Sequence, residues 1–332
     1  MRISIIGAGA FGTAMAVNAA RAGNEVMLWA HDARVAQTIR ETRTNPDYLA
    51  GVTLAESIEA TNDLAEAAAF SDVIFMIVPS HHYREVLTNL ANGLPGRAKI
   101  ISGTKGIENE SLDRMSQISS EVLGERLAAF AVLSGPTFAI ETARADPTAA
   151  VIASTDSEFA QEAQRMLSCP SFRLYHSDDV AGVELAGSIK NVIAIAAGVL
   201  EGLGLGSNTN AALVTRGLRE VARLGRALGG RPETFAGLAG MGDLVLTCTG
   251  ALSRNRSVGV QLGKGRTLED ILRDAKFVAE GIKTSKSARR LAEEHEIEMP
   301  ITTEMHRVLY ENDSARAAVQ RLMTRSLKAE VA

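Results

Sequence analysis

Two rhythms of apolar residues divide this chain. In its first half, short β-rich runs at residues 2–6, 26–29, 73–78, 100–101, 130–133 and 151–153 are separated by helical or turn-rich stretches. Residues 10–22 predict the first helix, and Gly23-Asn24 turns the chain into the second strand. Alternation of this kind is the mark of a parallel sheet covered by helices on both faces. From about residue 178 the strand signals fade and a helical period takes over. Leu213, Leu218, Val221, Leu224 and Leu228 recur mostly every three or four positions, with Arg216, Arg219, Glu220 and Arg223 between them. This predicts an amphipathic helix over 210–228 that ends at Gly229-Gly230, with further helices at 268–274, 285–294 and 303–310. The expected architecture is an α/β doubly wound, Rossmann-like parallel sheet over residues 1–178, followed by an all-helical domain over 179–332.

Composition narrows the function classes. The 332 residues suffice for two cores, and 46% hydrophobic with 22% charged residues is ordinary for a globular protein. No uninterrupted run of about 18 apolar residues predicts a membrane span. The start MRISIIGAG enters a strand directly and does not read as a signal peptide, so a cytoplasmic location is expected. That location leaves the sequons at Asn109 and Asn255 without a role. A net charge of -4 gives no support to nucleic-acid binding, which favours a small-molecule partner. Cys169 and Cys248 are too few and too far apart for a disulfide framework, and the His81-His82 pair lacks metal-ligand spacing, so no metal is expected.

The candidate chemistry begins at Gly7-Ala8-Gly9-Ala10-Phe11-Gly12, a G-x-G-x-x-G between a strand and a helix. Gly7 suits the tight turn, Gly9 the close approach of a pyrophosphate, and Gly12 the packing of helix on sheet, with the helix N-terminus supplying amide donors. Cofactor choice is less determined. The second strand ends at Trp29, and Asp32 lies twenty residues beyond Gly12, but His31 precedes it and Arg34 follows. Those neighbours allow a 2'-phosphate, so NADPH is slightly favoured and NADH stays open. Gly135-Pro136 and Pro79 follow strands, where such sheets keep their ligand loops.

In GSIKNVIAIAAG (187–198), Lys190 and Asn191 head an otherwise apolar or small run. Lys190 could snorkel out of a packed face. It could also be a general acid, its pKa lowered by burial and a second cation, delivering a proton to a carbonyl oxygen while a hydride arrives at carbon. Lys105, in SGTKGIE (102–108), is the candidate second cation.

The chain resembles the NAD(P)-dependent glycerol-3-phosphate dehydrogenases of chiefly bacterial type. The resemblance rests on GAGAFGTA (7–14), VPSHHYREVL (78–87), SGTKGIE, LSGPTFA (133–139), GSIKNVIAIAAG, AGMGDLVLTCTG (239–250), SRNR (253–256) and VAEG (278–281), which occur in the family's order across both halves. It implies Lys190 as catalytic acid and base, Lys105 beside the carbonyl of dihydroxyacetone phosphate and near the nicotinamide, and Asp243 orienting Lys190. Asn191 and Thr247 would hold substrate oxygens, Gly135 and Thr137 would form the substrate loop, and Ser253, Arg254 and Asn255 the phosphate site. Ala10, Phe11, His31, Ala139, Arg254, Val278 and Glu280 would contact the cofactor. The residues alone leave Asp243 open as a turn or cap carboxylate, and 253–256 as a solvated charged turn. Ala10 and Phe11 stand where the family usually has serine and often tryptophan, contacts that backbone can make, and Thr137 keeps the hydroxyl of the usual serine.

The resemblance implies reversible reduction of dihydroxyacetone phosphate to sn-glycerol 3-phosphate at the entry to glycerophospholipid synthesis, by an enzyme that could be a homodimer. One alternative is another lysine-dependent two-domain dehydrogenase acting on a hydroxy acid, which calls for a carboxylate pocket. A nucleotide sensor without catalysis would show damage at Lys190, Lys105 or Asp243, and all three are intact.

Overall fold

The computed structural model describes residues 1–274, 279–327 and 329–330. Among the described residues there are ten strands: β1 (Arg2–Ile6), β2 (Glu25–Trp29), β3 (Thr44–Asn45), β4 (Leu49–Thr53), β5 (Ile58–Thr61), β6 (Val73–Met76), β7 (Ala98–Ser102), β8 (Leu127–Ser134), β9 (Thr148–Ala153) and β10 (Phe172–Ser177). Eight form one sheet in the order β10-β9-β8-β7-β6-β1-β2-β5, and β3 and β4 pair apart from it. Strand order reverses between β1 and β6. Loops leaving the carboxyl ends of these two strands therefore diverge and open a crevice, where ligands of such sheets bind.

The expectation of a parallel sheet needs one correction, because β9 runs antiparallel to β8 while β10 is parallel to β9. A tight return through the helix Ala139–Ala143 joins β8 to β9, whereas a parallel pair needs a longer crossover. The loops after β1, β6, β7 and β8 consequently share one edge, and the ends of β9 and β10 lie on the other. The strands β3, β4, β5 and β10 escaped the sequence reading. The runs at β3 and β5 are short, and β10, FRLYHS, alternates its exposure on an outer strand of the sheet.

The strands are filled with Ile, Val, Leu, Phe and Met, buried on both faces by helices. The second half is built on the helix Val180–Gly202, which Asp179 caps by accepting a hydrogen bond from the Gly182 amide. It is long and apolar enough to cross a membrane by length and composition, yet its apolar window is wholly buried inside the fold. Helices Ser207–Ala227, Asp243–Thr249, Arg254–Gly263 and Glu280–Glu294 surround it. Each buried Leu, Ile or Val in such a core stabilises by about 1.5–3 kcal/mol.

Glycines let the central helix and helix Arg254–Gly263 approach backbone to backbone. A Cβ on Gly198 would overlap the Arg256 carbonyl, one on Gly259 the Ile195 carbonyl, and one on Gly263 the Val199 carbonyl. That close crossing brings the start of the second helix, Ser253 to Asn255, against Asn191.

Candidate active site

The glycine loop is shaped by its lack of side chains. Gly7 takes φ +121° and packs on the Ile77 carbonyl, while a Cβ on Gly12 would overlap the Gly7 carbonyl. Gly9 has open space where its Cβ would be, and it caps helix Ala10–Arg21 without a side-chain hydrogen bond. A helix N-terminus with uncapped amides behind an unobstructed glycine fits a dinucleotide pyrophosphate. Asn45, which the sequence reading missed, holds this loop by donating to the Ala8 carbonyl at 2.9 Å and to Thr13 Oγ1 at 2.8 Å. Phe11 lies over Gly103, so the first turn of this helix touches the loop that carries Lys105.

Asp32 is already engaged. It caps helix Ala33–Thr42 by accepting from the Arg34 amide at 2.9 Å, and its carboxylate pairs with the Arg34 guanidinium at 2.7 Å. It therefore serves as a helix cap whose exposed carboxylate is paired with Arg34. His31, one position earlier, is exposed and packs its ring edgewise near Trp29.

The catalytic candidates converge from three segments. Lys190 is 5% exposed on the central helix; its Nζ donates to Asp243 Oδ1, and to Thr247 Oγ1 at 2.6 Å. Lys105, in the loop after β7, donates to Asp243 Oδ2 at 2.6 Å and lies 3.5 Å from the Gly135 carbonyl. One buried carboxylate thus bridges two ammonium groups, leaving one excess positive charge. Burial pushes the Lys190 ammonium down to about 8; Asp243 opposes this, and the cation of Lys105 adds to it. For Asp243 burial would raise the carboxyl, but Lys105 and Lys190 outweigh it and hold the group below its ordinary value. Such a lysine is protonated at neutral pH and loses its proton easily, as a general acid must. Thr247 also donates to the Asp243 carbonyl at 2.6 Å, one helical turn back, so its hydroxyl is an anchor for Lys190 in this structure. The turn carrying Asp243 starts with a π-helical turn, Leu238–Gly242, whose Gly240 packs on the Phe235 backbone. Cys248, next in the helix, is buried and its thiol is pushed up to about 12, hence inert at neutral pH.

Gly135 adopts φ +146° against Ala150, and the Thr137 hydroxyl donates to its carbonyl at 3.2 Å, so the loop after β8 is preset beside Lys105. Ala139 begins the following helix. Ser253 caps helix Arg254–Gly263 by accepting from the Arg256 amide at 3.2 Å. Arg254 is exposed at the first position and makes no hydrogen bond or ion pair among the described residues. Cap, helix N-terminus and guanidinium together suit a phosphate.

Buried amides join this end to the lysines. Asn255 Nδ2 donates to Asn191 Oδ1 at 3.0 Å, and the Gly281 amide donates to Asn255 Oδ1 at 2.9 Å. Glu280 is half-buried, and its carboxyl is pushed up by desolvation against the opposing hydrogen bonds of Ser80. Val278 lies outside the described residues. Behind the lysine loop, Ser188 donates to the Gly106 carbonyl at 3.2 Å, and buried Glu184 accepts from Arg114 at 2.7 Å and from the Ser116 amide at 2.8 Å. Glu184 carried no motif signal, since a glutamate on an apolar helix resembles many others, and Ser188 lies within GSIKNVIAIAAG without having been given a role.

Known proteins resemble this chain over its whole length. Residues 2–160 match the family model described as NAD-dependent glycerol-3-phosphate dehydrogenase N-terminus, and residues 179–320 the model of its C-terminus. A glycerol-3-phosphate dehydrogenase [NAD(P)+] of Citrifermentans bemidjiense is 52% identical over 99% of this chain and 98% of its own length, and that of Geobacter sulfurreducens matches to the same extent. The crystal structure of the glycerol-3-phosphate dehydrogenase of Coxiella burnetii superposes with a TM-score of 0.94 at 40% identity, covering 98% of this chain and 99% of that one. The chain belongs to the NAD-dependent glycerol-3-phosphate dehydrogenase family.

Proposed function

We propose that the protein catalyses the reversible reduction of dihydroxyacetone phosphate to sn-glycerol 3-phosphate with NAD(P)H. The observation that carries this is the Asp243 carboxylate bridging Lys105 and Lys190 beside a helix N-terminus suited to phosphate. When bound, the cofactor supplies the hydride that reaches C2 of the substrate. Lys190 gives its Nζ proton to the carbonyl oxygen, so that the C=O bond becomes a hydroxyl and the amine is left neutral; solvent then returns the proton. The Lys105 ammonium stabilises negative charge developing on that oxygen. Asp243 keeps both ammonium groups in place. Arg254, with Ser253 and the adjoining helix amides, holds the phosphate, and Asn191, Thr247, Gly135, Thr137 and Asn255 line the substrate's course between phosphate and lysines. Ala10, Phe11, His31, Ala139, Arg254, Val278 and Glu280 are assigned to the cofactor with Gly7, Gly9 and Gly12.

Asp32, the carboxylate that follows β2, is tied to Arg34, which supports a slight preference for NADPH. We divide the domains at 178/179, between the end of β10 and the start of the central helix. We place the enzyme in the cytoplasm, supplying glycerophospholipid synthesis, as a homodimer without membrane insertion. Family membership leaves the hydroxy-acid alternative without support. Turnover of dihydroxyacetone phosphate with each nicotinamide tests the assignment. Lys190→Ala should lower kcat by about 10²–10⁴ in a folded protein; near-normal turnover would refute the mechanism.

A further inference from the structure

A second junction joins the two halves behind the Lys105 loop. Ser80 follows β6, and Glu280 opens helix Glu280–Glu294, 200 positions later. The Ser80 amide donates to Glu280 Oε1 at 3.0 Å and its hydroxyl to Oε2 at 2.5 Å, so both carboxylate oxygens are held by one residue. Ser80 also presses on Gly106, the neighbour of Lys105. A Cβ on Gly106 would overlap the Ser80 side chain and stand 3.3 Å from Glu280 Oε2. On its other side, Gly281 is bound to Asn255 and through it to Asn191. The loop after β6, the Lys105 loop, the phosphate-binding turn and the start of helix Glu280–Glu294 therefore meet at Ser80 and Glu280.

We propose that Ser80 is a positioning residue for the nicotinamide cofactor, acting through Glu280. This rests on the assignment of Glu280 as a cofactor contact. A carboxylate gripped by two donors on one side is fixed in rotation, and its remaining lone pairs are preset to accept from a hydroxyl or amide donor of the cofactor. With the Ser80 hydroxyl removed, the carboxylate keeps one partner and can turn, so it must be ordered again when cofactor binds.

The test is a double-mutant cycle of Ser80→Ala and Glu280→Ala, reading the Kd of NADPH by its fluorescence alongside thermal melting. Loss of a hydrogen bond to a charged acceptor predicts a Kd about tenfold weaker for Ser80→Ala. Glu280→Ala should weaken it at least as much, and the double variant no further than Glu280→Ala alone. An equal loss for Ser80→Ala in both backgrounds would mean that Ser80 only packs against Gly106, and would overturn the proposal. An unchanged Kd in Ser80→Ala beside a weakened one in Glu280→Ala would also overturn it while leaving Glu280 at the cofactor. An unchanged Kd in Glu280→Ala would remove the assignment of Glu280 and the proposal together. Ser80→Cys, which keeps a side-chain atom beyond Cβ and weakens the donor, carries the same comparison should the alanine variant fail to fold.

Discussion

Replacing Asp243 by asparagine isolates the electrostatic device at the centre of this site. Asparagine keeps the shape but removes the negative charge that Lys190 and Lys105 share. At an effective dielectric of about 20, unit charges about 4 Å apart interact by about 4 kcal/mol, or about three pKa units. Even if local relaxation recovers half of this, Lys190 would fall from about 8 to about 6.5, since burial and the Lys105 cation both continue to push it down. In the native enzyme the acid form of Lys190 is lost as pH rises through about 8. The kcat/KM for dihydroxyacetone phosphate reduction, which at saturating NADPH reports the enzyme–NADPH complex before the substrate binds, should therefore decline above that pH. In Asp243→Asn the declining limb should move down by about 1.5 to three units. At pH 7 the fall in protonated lysine alone then costs between about fourfold and a hundredfold. The assay is kcat/KM against pH from 5 to 10 at saturating NADPH. A limb that stays near 8, or moves up, would refute the reasoning that Asp243 sustains the lysine's proton.

Other consequences follow from single contacts. Arg254→Ala should raise the KM for dihydroxyacetone phosphate by about 10- to 100-fold, the range for a charge-assisted hydrogen bond, and inorganic phosphate should bind more weakly in parallel; an unchanged KM would remove Arg254 from the phosphate site. Buried Glu220 accepts from the Ile301 and Thr302 amides at the start of helix Pro300–Tyr310, and burial pushes its carboxyl up to about 7. The folded state thus keeps a proton that the unfolded state releases near 4.5, so stability should fall as pH rises from about 4.5 to 7 and then level off. Denaturant melts across that range should show the fall, and Glu220→Gln should flatten it. Gly259→Ala, whose Cβ would overlap the Ile195 carbonyl, should destabilise by about 1–3 kcal/mol in the same melts and disturb Asn255 on the shared helix.

The strands that carry the site were legible because buried parallel strands are continuous apolar runs. The residues 2–6, 26–29 and 130–133 fall on β1, β2 and β8. The glycine loop was legible because Gly7 and Gly12 answer local demands, a positive φ and a close backbone approach. Helix 285–294 was placed short of its start at Glu280, since the polar residues Glu280, Lys283 and Thr284 hide its first turns. The reversal of β9 had no local signal, because strand direction depends on which edge the chain returns to.

Lys190, Lys105 and Asp243 were nameable from motifs, but residues separated by 53 and 138 positions acquire a shared charge only when the fold closes. The same holds for Ser80 with Glu280 and for Asn191 with Asn255. Periodicity and backbone constraint are properties of neighbours along the chain, so the sequence by itself determined the buried strands β1, β2, β6, β7, β8 and β9, the positions of the main helices and the glycine loop. Burial, pKa and the sharing of one carboxylate by two lysines are properties of neighbours in space, and only the tertiary structure decided them.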